Sequence, residues 1–170
     1  VAEEDTGVVV RGLDGAAKQR RLIVRVRAFN DGIGFRYEFP SQPALREFTI
    51  MEELTEFHFA DNPTAWWIPS DRPRMDRSEM LYSSSPLSLL RNVQTPLTLE
   101  SRDRRSYLVI HEADLEDYAR MNLRGSACIE CRSLAADLSP MADGTKVHGS
   151  TPFRTPWRTL QIADRLVDLS

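Results

Sequence analysis

Apolar and polar residues alternate along much of this chain with a period of two, the repeat of a strand that buries one face. Between Leu22 and Phe29, Val24, Val26 and Ala28 fall on one side and Arg25, Arg27 and Phe29 on the other, which predicts a strand. Asn30-Asp31-Gly32 then supplies residues that tolerate positive φ. From Ile33 to Pro40 the alternation resumes, with Phe35, Tyr37 and Phe39 on a shared face. The pair predicts a β-hairpin with an aromatic side, closed by Pro40 and Pro43, since neither proline can donate to a ladder.

Further strands are expected from Glu47 to Phe59, with a break near Glu52-Glu53, and over Pro96 to Glu100, Ser106 to Glu112, Ala119 to Arg124, Ala127 to Leu134 and Thr159 to Ala163. Between them, Ala60 to Pro73 and Ser83 to Pro86 read as loops rich in Pro, Ser, Asp and Arg. No stretch combines 3.6-residue spacing with helix caps, and Ala113 to Tyr118 offers at most one turn. Short strands punctuated in this way indicate an all-β, antiparallel β-sandwich rather than an α/β fold. Internal repeats and low-complexity tracts are absent.

The last segment changes character. Thr155-Pro156-Trp157-Arg158 opens an extended run with a large aromatic anchor, continued by Leu160 and Ile162 and then Leu166 and Val167. It reads as a last strand leading toward another domain. The expected organisation is a β-sandwich over residues 1–154 and a strand with a junction over 155–170.

Composition narrows the function. A chain of 170 residues with 41% apolar side chains can bury one core. A net charge of −3 and a pI near 5.7 argue against a nucleic-acid partner, because phosphate neutralisation needs a basic face. The densest basic cluster, Arg72, Arg74 and Arg77, is interleaved with Asp71, Asp76 and Glu79 and reads as a solvated mixed-charge loop. No apolar run approaches the ~20 residues that span a bilayer, so no membrane insertion is expected. Val1-Ala2-Glu3-Glu4-Asp5 has neither the basic nor the apolar part of a secretory signal.

Cys128 and Cys131 are the two cysteines. On the strand expected there, residues three apart point to opposite faces, which disfavours a mutual disulfide and favours free thiols. A redox or zinc role is the alternative, but His58, His111 and His148 do not complete a four-ligand set at finger spacing.

The nucleophile elbow, the P-loop, the paired-His zinc motif and the dinucleotide fingerprint are all missing. The one concentrated polar cluster is His111-Glu112-Ala113-Asp114, where the strand Tyr107-Leu108-Val109-Ile110 runs out. Glu112 reads either as a surface carboxylate at a strand terminus, paired with a nearby arginine or capping a turn, or as a hard-cation ligand that helps complete a calcium site built mostly elsewhere. His111 faces the other way. Trp66-Trp67 and Trp157 are either sugar-stacking platforms, with Trp67 and Trp157 as candidate substrate-binding residues, or packing groups in the core or against another domain.

Five landmarks occur together: Arg27 to Pro40, Trp66-Trp67-Ile68-Pro69, Tyr107 to Ala113, Leu134 to Val147 with Asp143-Gly144, and Thr155-Pro156-Trp157-Arg158-Thr159. In this order and over nearly the whole chain they resemble the N-terminal domain of glycoside hydrolase family 97, the α-glucosidase and α-galactosidase family of carbohydrate-degrading bacteria. The resemblance implies a galactose-mutarotase-like supersandwich, part of a larger sandwich domain with further strands before Val1, packed against a (β/α)8 catalytic barrel that follows. The barrel carries most of the catalytic carboxylates, so no catalytic residue is assigned to this chain.

Carried over from the family is one sandwich glutamate, Glu112, which joins barrel glutamates around an active-site calcium. The implied partners are that barrel and an oligosaccharide substrate, in a periplasmic or secreted bacterial protein. By this reading the chain alone is catalytically silent. A freestanding carbohydrate-binding module, with Trp66 or Trp67 stacking on sugar, is the alternative. A mutarotase-like epimerase is disfavoured, because adjacent His111 and Glu112 face apart on a strand.

Overall fold

The computed structural model describes residues 4–13, 19–70, 79–128 and 130–169. Its strands are β1 (Glu4–Leu13), β2 (Gln19–Phe29), β3 (Gly32–Phe39), β4 (Glu47–Ile50), β5 (Glu56–His58), β6 (Thr64–Trp67), β7 (Ser83–Pro86) and β8 (Asn92–Gln94). They continue as β9 (Leu97–Glu100), β10 (Tyr107–Ala113), β11 (Met121–Gly125), β12 (Ser133–Leu138), β13 (Val147–Ser150), β14 (Phe153–Arg154) and β15 (Trp157–Ala163). Helix is confined to two short 3-10 turns, Leu87–Leu89 and Leu166–Leu169, among the described residues. The all-β antiparallel class expected from the residue pattern is what the chain adopts.

Two compact units divide the chain. The first gathers Val1–Met51, Glu112–Ala119 and Pro140–Thr159, and the second Glu52–His111, Arg120–Ser139 and Leu160–Ser170. Strands β10 and β15 contribute residues to both.

The first unit is built on the expected hairpin. β2 and β3 pair antiparallel from Ile23↔Glu38 to Phe29↔Gly32, with Asn30 and Asp31 as the turn, and β1 pairs with the outer side of β2. Val24 lies opposite Tyr37 and Val26 opposite Phe35, so the apolar face is made of aromatic and β-branched cross-strand pairs. On the other face Arg25 lies opposite Arg36, a like-charge pairing that would be unfavourable alone. Glu38 resolves it by accepting from Arg25 Nε at 2.9 Å and from Arg36 Nη2 at 2.8 Å. β14 adds to β3, and Thr155 ties the following chain to Tyr37 by a backbone N–H donated to the Tyr37 carbonyl and a hydroxyl accepting the Tyr37 N–H. Phe39, Phe48 and Phe153 form a cluster, with Phe39 and Phe48 stacked at 5.1 Å and Phe48 edge-on to Phe153 at 5.1 Å.

The second unit holds the apolar core. β5, β12, β11 and β8 form one antiparallel sheet, while β9 pairs with β10 and β6, and β6 with β7. β12 alternates half-buried and buried positions along its length, and Leu134, Ala136 and Leu138 point inward with Phe57, Val93, Leu97, Leu99, Met121 and Leu123. Among the described residues, Val147 alone of the buried Val, Leu, Ile, Met and Phe side chains belongs to the first unit. The buried side chains of that unit are otherwise mostly polar: Arg36, Gln42, Glu112, Thr155 and Arg158. Burying such groups costs free energy unless each is partnered.

Four readings of the sequence are corrected. Ser83–Pro86, read as loop for its serines, is the edge strand β7, where Pro86 needs no ladder donor. β6 lies inside the stretch 60–73 read as loop, where Thr64, Ala65 and Trp66 pair with β9, and 71–78 fall outside the described residues together with Arg72, Arg74 and Arg77. The strand expected over Ala127 to Leu134 begins only at Ser133, and the chain before it turns. Because it turns, Cys131 N–H reaches the Cys128 carbonyl at 3.0 Å, the Cα atoms lie 5.1 Å apart, and the two cysteines form a disulfide rather than free thiols.

Candidate functional site

Glu112 stands near the end of β10, in the first unit, and is 8% exposed although it is charged. Arg158, on the neighbouring strand β15, is fully buried and donates from Nη1 to Glu112 Oε2 at 2.8 Å. The arginine partner of the first reading of Glu112 is present, and the paired carboxylate is buried rather than exposed. β15 alternates, so Arg158 points away from the side that Trp157 occupies.

After β10 the chain does not form the helical turn that Ala113 to Tyr118 allowed. Asp114 and Asp117 take left-handed backbone with φ of 61° and 47°, a region that aspartate visits more readily than most residues. The Glu116 N–H is donated to the Asp114 carbonyl at 3.1 Å. The result is a loop that returns Tyr118 to the site, where its ring lies 5.6 Å from the Arg158 guanidinium carbon. Tyr118 is backed in turn by Phe153, 6.2 Å away between centroids. One guanidinium thus meets both Glu112, just before the loop 114–118, and Tyr118, its last residue.

The second polar group of the unit surrounds Trp157. Arg27 lies over its ring at 4.8 Å and Arg36 at 4.5 Å, and a Cβ at Gly34 would touch it. Arg36 also reaches Asp114 Oδ2 at 3.6 Å, so the loop is held at a second point. Burial pushes the Glu38 carboxyl up, but the hydrogen bonds from Arg25 and Arg36 outweigh it and leave Glu38 below its ordinary value. The hydrogen bond from Arg27 lowers Asp5 in the same way.

Trp67 lies in the second unit, half-buried, with its indole N–H donated to Ser85 Oγ at 3.1 Å. Its neighbour Trp66 is 46% exposed. The pair therefore splits between a packed ring and an open one. Trp157 is half-buried under its two arginines.

Calcium takes about six to eight oxygen ligands, and no group of three or more His, Cys, Asp or Glu side chains able to hold a metal converges among the described residues. A carboxylate offers about four lone-pair directions, so it can serve a guanidinium and a cation together. Glu112 supplies carboxylate oxygens of the kind that such an ion takes. The residues that sequence reasoning missed are Arg158 and Tyr118. No local signal marks Arg158, which stands among both polar and apolar residues in Trp157–Ala163.

These features define an all-β module that carries a buried, arginine-held carboxylate at a strand end. The profile described as glycosyl-hydrolase 97 N-terminal matches residues 9–170, and the chain belongs to that family. A glycoside hydrolase family 97 enzyme from Pseudoalteromonas sp. strain K8, in complex with acarbose, is 33% identical and matches with a TM-score of 0.79. A glutamate-to-glutamine variant from the same strain, in complex with panose, matches with the same identity and score. Each match covers 98% of this chain and 28% of the enzyme, so the chain spans under a third of the length of the proteins it resembles.

Proposed function

We propose that this chain is the sandwich portion of an exo-acting α-glycosidase and lends Glu112 to an active-site calcium that a following (β/α)8 barrel completes. The observation that carries the proposal is a carboxylate buried at the end of β10 and fixed by Arg158. Taking both charges out of water costs several kcal/mol per ion, which their mutual contact must offset. When bound, calcium supplies positive charge that orients the sugar and stabilises charge in the transition state. This chain's part is geometric. Arg158 holds one Glu112 oxygen, and the loop 114–118 is anchored by Arg36 and Tyr118.

Proton transfer at the glycosidic bond belongs to carboxylates outside these 170 residues. Acarbose and panose in the related enzyme favour an α-glucoside over an α-galactoside as substrate. The exposed Cys128–Cys131 disulfide supports an oxidising setting, periplasmic or extracellular.

The test is made on the full-length enzyme. Chelation abolishes hydrolysis of nitrophenyl α-glucoside, calcium restores it, and Glu112→Gln raises the calcium concentration needed at least tenfold. An unchanged calcium requirement in Glu112→Gln sinks the proposal, as does hydrolysis by the isolated 170-residue chain.

A further inference from the structure

We infer that Arg158 is a positioning residue for the calcium site: it sets the direction of Glu112 and fixes the loop that follows it, without touching substrate itself. The inference rests on the reading of Glu112 as a calcium ligand and adds a residue to it. Three observations carry it. Arg158 is fully buried in a unit whose other buried side chains are mostly polar, so its charge lies in a place where water does not solvate it. Its Nη1 donates to Glu112 Oε2 at 2.8 Å, a charge-assisted hydrogen bond that sets which carboxylate oxygen faces the arginine. The same guanidinium lies 5.6 Å from the Tyr118 ring, across the loop from Glu112.

A cation this close to a calcium ligand also opposes the ion by simple repulsion. A group that only neutralised Glu112 would therefore weaken calcium binding, and its removal would strengthen it. A group that orients Glu112 has the opposite signature. Groups outside the direct ligands that orient a ligand are worth about ten- to a hundredfold in metal affinity, whereas neutralisation alone predicts a gain on deletion. Lysine keeps the charge but has a single ammonium on a flexible stem, so it does not reproduce the planar contact to Glu112 and Tyr118 together.

The experiment measures calcium affinity directly, by calorimetric titration of chelator-treated full-length enzyme, with thermal melting and circular dichroism as checks on the fold. Four proteins are compared: wild type, Glu112→Gln, Arg158→Lys and Arg158→Gln. Positioning predicts affinity about tenfold weaker in Arg158→Lys and about a hundredfold weaker in Arg158→Gln. If Arg158→Gln does not fold, Arg158→Lys decides. Affinity within twofold of wild type, or tighter, in a folded Arg158 variant while Glu112→Gln loses calcium overturns the inference and leaves the calcium reading intact. Wild-type affinity in Glu112→Gln overturns both.

Discussion

Breaking the Glu112–Arg158 pair from one side should cost far more than removing it whole. Both side chains are shielded, Arg158 fully and Glu112 with 5% of its side chain exposed, so either charge left without the other has little water to turn to. Breaking a buried pair typically costs ~3–5 kcal/mol, while replacing both members by apolar residues of similar volume is often neutral. Glu112→Leu is therefore expected to destabilise the protein by about 3–5 kcal/mol. Arg158→Met should cost about 1 kcal/mol more, because the guanidinium also leaves the face of Tyr118. The double variant should lie within about 2 kcal/mol of wild type, giving a coupling energy of roughly 5 kcal/mol or more, above the ~0.5–3 kcal/mol that adjacent residues usually show. Urea unfolding followed by the fluorescence of the three tryptophans and by far-ultraviolet circular dichroism measures this, provided the slopes agree among variants. In thermal melts the single changes correspond to roughly 10 °C for a chain of this size. If the double variant is as unstable as the two single effects added together, the pair is not a closed unit and the reasoning fails.

Acid should loosen the hairpin unit. Glu38 and Asp5 sit below their ordinary values, 4.5 and 3.8, so the stability they contribute is complete above those values and is lost as pH falls through the lowered ones. Glu38→Gln should flatten the decline in melting temperature below pH 4.5, and an unaltered pH profile would count against the Arg25–Glu38–Arg36 account. Gly125→Ala drives a methyl into the Leu90 carbonyl, a backbone atom that cannot swing aside, and should cost about 2 kcal/mol or more by urea midpoint. Reduction of Cys128–Cys131 opens a short loop and should lower stability by only about 2 kcal/mol, with no thiol titrating before reduction. Thiol reactivity in the native protein would show that the bond is absent.

Much of the architecture was legible because period-two patterns survive wherever one face is buried. The β2–β3 hairpin, the break between β4 and β5 and the strand ending at Glu112 all follow from side chains that take opposite sides. What escaped depended on the neighbour rather than on the residue. Ser83–Pro86 has no apolar alternation, and its strand exists because β6 offers it a ladder. The strand expected to hold the cysteines begins six residues later, and the two are instead joined where the chain has left that strand. Glu112 stands out in the sequence through the polar cluster at its strand end and the family resemblance. Arg158 does not, since its partner lies 46 positions earlier in the chain and nothing local distinguishes a buried arginine from an exposed one. Tyr118 required the two left-handed aspartates to be known first.

Those two aspartates also act as a filter on sequence. A left-handed backbone admits glycine, asparagine and aspartate at modest cost and penalises β-branched residues strongly. Positions 114 and 117 are therefore narrow in what they accept, while Leu115 and Glu116 between them face solvent, Leu115 at 46% exposure. The loop is thus a fixed frame with an interchangeable tip. Substitution at the tip can change what the loop presents to solvent while leaving Glu112 where it is, so the tip can vary without disturbing the buried pair.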